Sequence, residues 1–129
     1  MIYKLDGTTD TGAEIIINQN RSLNLEIICD VYSGETQIGY FNFSGYTGAT
    51  LEVRTNPNDN IHVLRFSTSD GSIVLGSGRF NLIKTPAGTN VRAGKYYYDM
   101  YLSSPSEPKR AFLTCGEGNR FIIKDTVTN

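Results

Sequence analysis

The sequence predicts an all-β protein, an Ig-like antiparallel β-sandwich of about eight to ten short strands. Three observations favour this class. More than a third of the 129 residues are Gly, Ser, Thr or Asn, a composition typical of turn-rich β proteins. Turn signals such as Ser33-Gly34, Asp70-Gly71 and Pro86-Ala87-Gly88 recur about every ten residues, which is the spacing of short strands. No segment keeps a helical period of about 3.6 residues.

The clearest predicted strand covers residues 22–32. Apolar and polar side chains alternate along it, which indicates a strand with one buried face. Cys29 falls on the apolar face, where it is expected to act as a small core residue. The opposite face also carries Ile28, Asp30 and Tyr32. The predicted core face consists of Leu23, Leu25, Ile27, Cys29 and Val31.

The second clear strand covers residues 94–103. Its core face is expected to carry Tyr96, Tyr98, Met100 and Leu102, because these alternate with more polar residues. A single helical turn is expected near 85–93. Further strands are predicted at 14–18, 38–43, 49–55, 61–67, 72–75, 79–84, 109–115 and 120–124.

The chain divides into a short N-terminal stretch and one domain. Residues 14–129 are expected to form a single β-sandwich domain. Residues 1–13 precede the first predicted strand and carry Ile2, Tyr3 and Leu5. This stretch is therefore predicted to act as an arm that docks on a neighbouring subunit.

Composition excludes several function classes. With 12 basic and 13 acidic residues the net charge is −1, which does not favour a nucleic-acid partner. One histidine and two distant cysteines make a zinc or iron site improbable, and no metal or other cofactor is expected. No apolar run is long enough to span a membrane. The start of the chain lacks the apolar region of a signal peptide, so Cys29 and Cys115 are expected to be reduced thiols in a cytoplasm.

No pattern of reactive residues predicts an enzyme, and no catalytic residue is assigned. His62 is the only histidine and lies in a strand-like run without a nucleophile motif. Glu26, Asp30 and Asp99 are expected to face outward as ordinary solvated groups. Arg54 is expected to pair with Asp99 across neighbouring strands. A small hydrolase built on these groups stays a weak alternative.

Tyrosine is the residue type with most potential for binding, because its amphipathic ring is enriched at interfaces. Four residues are predicted to lie on the outward faces of the two clearest strands: Ile28, Tyr32, Tyr97 and Tyr101. If the two strands are neighbours in one sheet, these four side chains form a single patch.

Several short motifs, taken in order, resemble the N-terminal domain family of baseplate upper proteins of tailed bacteriophages and related small virion β-sandwich proteins. The likeness extends over about residues 15–128. The segments that carry it are NQNRSLNL at 18–25, FSGYTGATLEVR at 43–54, DGSIVL at 70–75, VRAGKYYYDMYL at 91–102, and the C-terminal runs 112–116, 121–123 and 127–128.

This resemblance implies a non-enzymatic structural protein of a phage virion. Such a module would serve as a head decoration or head fibre, a neck or collar component, or a baseplate subunit, and it would be made in the host bacterial cytoplasm. Its expected partners are other capsid, neck or tail proteins and further copies of itself. The alternative is a carbohydrate-binding β-sandwich module, with a host-surface glycan as ligand.

Overall fold

The computed structural model describes residues 1–6, 9–10, 12–113 and 119–125, with no side-chain description for residues 6, 9 and 10. Strands dominate these residues, so the predicted all-β class is confirmed. The strands are β1 (Ile2–Asp6), β2 (Thr9–Asp10), β3 (Ile15–Asn18), β4 (Leu23–Ser33), β5 (Thr36–Tyr40), β6 (Gly48–Arg54), β7 (Leu64–Ser67), β8 (Ile73–Gly76), β9 (Arg79–Lys84), β10 (Gly94–Ser103), β11 (Arg110–Leu113) and β12 (Arg120–Lys124).

Two six-stranded sheets pack against each other as a sandwich. Sheet A has the order β2-β1-β4-β9-β8, and β5 continues beside β4 beyond the end of β9. Sheet B has the order β3-β12-β10-β6-β7, and β11 pairs with the far end of β10. Both sheets are mixed rather than purely antiparallel, because β1 runs parallel to β4 and β3 runs parallel to β12.

The longest strand of each sheet, β4 in sheet A and β10 in sheet B, has the alternating burial that the sequence pattern predicts. Tyr96, Tyr98, Met100 and Leu102 of β10 all lie in the core, as predicted. In β4, Ile27 and Cys29 are fully buried, whereas Leu23, Leu25 and Val31 are partly buried against the same core. Aromatic rings from both sheets complete this interior, with Tyr3 and Phe80 from sheet A and Phe66, Tyr98 and Phe121 from sheet B.

The N-terminal stretch does not form an arm. Residues 2–6 form β1, which pairs with β4 over five residues. Tyr3 and Leu5 are completely buried in the core of the domain, and the Met1 ammonium group donates to the carbonyl of Glu26 at 3.0 Å. The prediction for this stretch is wrong because alternation over only four or five residues does not distinguish a core strand from an arm.

At the predicted single helical turn near 85–93, residues 86–89 form an isolated turn that does not continue into a helix. Its hydrogen bond from the Thr89 amide to the carbonyl of Thr85, at 3.1 Å, has the spacing of an α-helical turn. The Thr89 hydroxyl donates to the carbonyl of Arg21 at 2.7 Å. The helix in the described part of the chain is a single 3-10 turn at Thr68–Asp70, which begins where the side chain of Ser67 accepts a hydrogen bond from the Ser69 amide.

Candidate functional site

The outer face of sheet A brings together three of the predicted interface residues. Ile2 of β1 lies directly opposite Ile28 of β4, and Tyr32 lies on the same face of β4. Ile2 is 56% exposed, and the other two are partly exposed. The Lys4 ammonium group lies 5.4 Å from the centre of the Tyr32 ring, close enough for a cation–π contact.

Three further exposed apolar residues lie on strands of sheet A, and none of them is among the predicted interface residues. Ile38 and Tyr40 of β5 are each 63% exposed, and Val74 of β8 is 50% exposed. An irregularity in the pairing of β5 with β4 leaves Ile38 without a direct partner and places Tyr40 opposite Asp30. Alternation of side chains within β5 does not predict how this strand pairs with β4. The sequence signal for an exposed residue here is an aromatic side chain, Tyr40, next to Gly39.

Asp30 lies in the middle of the same face. Alternation along β4 points its side chain away from the core, as predicted, but only 7% of the residue is exposed. The prediction that Asp30 is solvated is therefore wrong, because Lys4 and Tyr40 lie directly opposite it on the two neighbouring strands. On the core side, burial raises the pKa of the Cys29 thiol to about 12, and the nearby charge of Asp30 adds to the shift.

The predicted Tyr97 and Tyr101 lie on the outer face of sheet B, on β10. Since β4 belongs to sheet A, the two strands are not neighbours and the two pairs of residues face opposite sides of the sandwich. The condition for a single patch is therefore not met. Each ring has a basic neighbour: Tyr97 lies opposite Arg54, and the Lys109 ammonium group lies 4.7 Å from the centre of the Tyr101 ring.

The outer face of sheet B carries a chain of charged groups. Arg54 pairs with Asp99, as predicted, and also with Glu52 at 2.9 Å. The other carboxylate oxygen of Glu52 lies 3.0 Å from Nδ1 of His62. The side chains of Arg54 and Glu52 are only 13% and 15% exposed. This arrangement can orient His62, but among the described residues no hydrogen bond joins a hydroxyl or thiol to the ring.

Two open grooves lie among the described residues. They have volumes of about 360 and 380 Å³ and lie near opposite ends of β8, the first beside Tyr46 and Leu75, the second beside Asp70 and Lys84. Hydrogen bonds from the hydroxyl and amide of Ser72 lower the pKa of Asp70. His62 lines neither groove.

In the described ranges, no group of three or more His, Cys, Asp or Glu side chains is arranged to hold a metal ion. Within the same ranges, no helix has the length and apolar character needed to cross a bilayer.

No protein-family model matches the chain, and no curated protein matches it. The likeness to the phage module therefore depends on the order of its short motifs alone. The outer face of sheet A, with its exposed apolar residues and its buried Asp30, is the candidate interaction surface.

Proposed function

We propose that this chain is a non-enzymatic structural protein of a tailed-phage virion that acts as an attachment or assembly module. The order of motifs supports the phage assignment. The observation that carries the binding role is the outer face of sheet A, where Ile2, Tyr40 and Val74 are each at least half exposed. Apolar residues grouped on one face of a small domain favour association with a partner.

The proposed partners are other virion proteins and further copies of this chain. A head decoration or head fibre, a neck or collar component and a baseplate subunit all fit a small module that is repeated on a particle, since repeated weak contacts add up to stable attachment. Portal, capsid or tail genes beside the gene for this chain are the first expected observation.

The direct test is incorporation into particles. A tagged chain with Ile2→Ser and Ile28→Ser is expected to be lost from particles purified from infected cells. The matched control, Tyr97→Ser with Tyr101→Ser on the outer face of sheet B, is expected to be retained. Both variants need an unchanged melting temperature. Retention of the first variant at the wild-type level contradicts the proposed surface.

The alternative, a carbohydrate-binding module, is favoured by one observation. Tyr40 is exposed on one side and packs on the other side against the backbone of Gly78, where an added Cβ would lie 2.7 Å from the Cβ of Tyr40. An aromatic ring held in this way is a platform for a sugar ring. Saturable binding on a glycan array that is lost in Tyr40→Ala and kept in Tyr97→Ala supports this alternative.

A further inference from the structure

Asp30 is a buried carboxylate without a partner in the described part of the chain. Only 7% of the residue is exposed, and no hydrogen bond or ion pair joins its side chain to any described residue. Other carboxylates on outward faces are paired: Asp99 with Arg54, and Glu26 with Arg79 at 3.3 Å. A buried charge is costly unless a group of opposite charge or a set of donors compensates it.

The Lys4 ammonium group is engaged by a different side chain. Lys4 lies directly opposite Asp30 on β1, but its ammonium group lies over the ring of Tyr32 and forms no ion pair with Asp30. On the other side of Asp30, the exposed Tyr40 is held against Gly78. The Asp30 carboxylate therefore lies beside two aromatic residues. The ring of Tyr32 already has a cation over it, whereas the ring of Tyr40 is exposed to solvent.

We propose that the Asp30 carboxylate and the Tyr40 ring form a binding site for the guanidinium group of an arginine from a partner protein. A guanidinium group can donate two parallel hydrogen bonds to a carboxylate and stack on an aromatic ring, and it is less strongly hydrated than an ammonium group. A neutral ligand leaves the charge of Asp30 uncompensated. This proposal specifies which chemical group of a partner binds to the outer face of sheet A. It therefore rests on the proposed function, in which that face binds a partner protein.

A first test uses the isolated chain without any ligand. Asp30→Asn keeps the shape of the side chain and removes the uncompensated charge, so its melting temperature is expected to equal or exceed that of the wild type. The matched control is Asp99→Asn, which weakens the pair with Arg54 and is expected to lower the melting temperature. If Asp30→Asn lowers it by as much as Asp99→Asn does, Asp30 has a structural partner within the chain and the proposal is wrong.

The second test measures binding of a defined probe, Nα-acetyl-argininamide, by NMR titration of the labelled full chain. Chemical-shift changes are expected at the amides of Lys4, Asp30 and Tyr40, with a Kd on the order of millimolar. The uncharged isostere Nα-acetyl-citrullinamide is expected to bind at least about tenfold more weakly, since it cannot compensate the charge. Asp30→Asn is expected to remove the difference between the two probes.

Three outcomes of the titration overturn the proposal. Equal shifts with both probes exclude recognition of the charge, and no shifts with either probe exclude the site. Shifts that arise instead with methyl glycosides and disappear in Tyr40→Ala assign the face to a glycan. The titration uses the isolated chain, so a negative titration does not contradict the particle-incorporation test of the proposed function. The incorporation test changes Ile2 and Ile28 and leaves Asp30 in place, so the two tests can fail separately.

Lys4→Met separates an internal from an external partner for Asp30. If the site binds a guanidinium group from outside the chain, removal of the neighbouring Lys4 ammonium group removes a like charge. The arginine probe is then expected to bind more tightly, without a lower melting temperature. Weaker binding together with a lower melting temperature indicates that Lys4 itself compensates Asp30, which contradicts the proposal.

Discussion

The hydroxyl of Tyr3 donates a 2.5 Å hydrogen bond to the side-chain oxygen of Asn119 and so joins the two sheets through the core. Tyr3 belongs to β1 of sheet A, and Asn119 lies directly before β12 of sheet B. The same oxygen accepts a hydrogen bond from the amide of Ala13 at 3.1 Å and lies 3.3 Å from the hydroxyl of Tyr98. One buried amide thus connects the first strand, the entry to β3 and the long strand β10.

Tyr3→Phe is expected to lower the free energy of unfolding by about 1–2 kcal/mol, because it removes a buried hydrogen bond and keeps the ring. Urea unfolding measures this loss. The matched control is Tyr101→Phe, whose ring faces outward and which is expected to change stability by less than about 0.5 kcal/mol. Equal effects of the two changes contradict a special role for the contact between Tyr3 and Asn119.

A pair of substitutions within β1 tests whether the first strand belongs to the domain. Leu5 is fully buried, and Ile2 is 56% exposed. Leu5→Ala is expected to cost about 2–5 kcal/mol of stability, because it leaves a cavity in the core. Ile2→Ala on the opposite face is expected to cost less than about 0.5 kcal/mol. If the stretch were an arm that docks only on a neighbouring subunit, neither substitution would change the unfolding of the isolated chain.

Local alternation predicts much of this fold but not the partners of its strands. The predicted bounds 94–103 coincide with β10, since every second side chain there is buried. The side-chain period does not say which strand lies beside another. For this reason the sequence patterns leave open a shared patch of Ile28 and Tyr101, whereas β4 and β10 belong to different sheets.

The candidate site was predictable only in part for the same reason. Asp30 and Ile28 follow from the alternation of β4, which puts both on the outward face. The burial of Asp30 depends on Lys4 and Tyr40, which reach it through a parallel pairing and through the shifted register of β5. Both are long-range relationships, and in a single sequence neither has a local signal.

Each charged side chain on the outer face of sheet B is expected to contribute more to the free energy of unfolding the more deeply it is buried. Arg54→Met leaves the carboxylate of Glu52, which is 15% exposed, without its arginine partner, and is expected to cost about 1–3 kcal/mol. His62→Gln removes a partner that is 42% exposed and is expected to cost less than about 1 kcal/mol. Thermal unfolding at neutral pH ranks the two variants. A larger loss for His62→Gln would contradict the central position of Arg54.

The buried thiol of Cys29 predicts a loss of stability at alkaline pH. Burial raises its pKa to about 12, from an ordinary value of 9.0. Below pH 9 the thiol keeps its proton in both the folded and the unfolded chain. As the pH rises above this value the unfolded chain loses the proton first, so the free energy of unfolding falls by up to about 1.4 kcal/mol per pH unit until the folded pKa is reached.

Urea unfolding between about pH 8 and pH 10 measures this slope. Cys115 lies outside the described residues, so the comparison is made in a Cys115→Ser background, where Cys29 is the only thiol. Addition of Cys29→Ala to that background is expected to lower stability at pH 8, because it leaves a small cavity, and to reduce the alkaline slope, because the titrating group is gone. Parallel pH profiles for the two variants would show that the thiol titrates alike in the folded and unfolded chains.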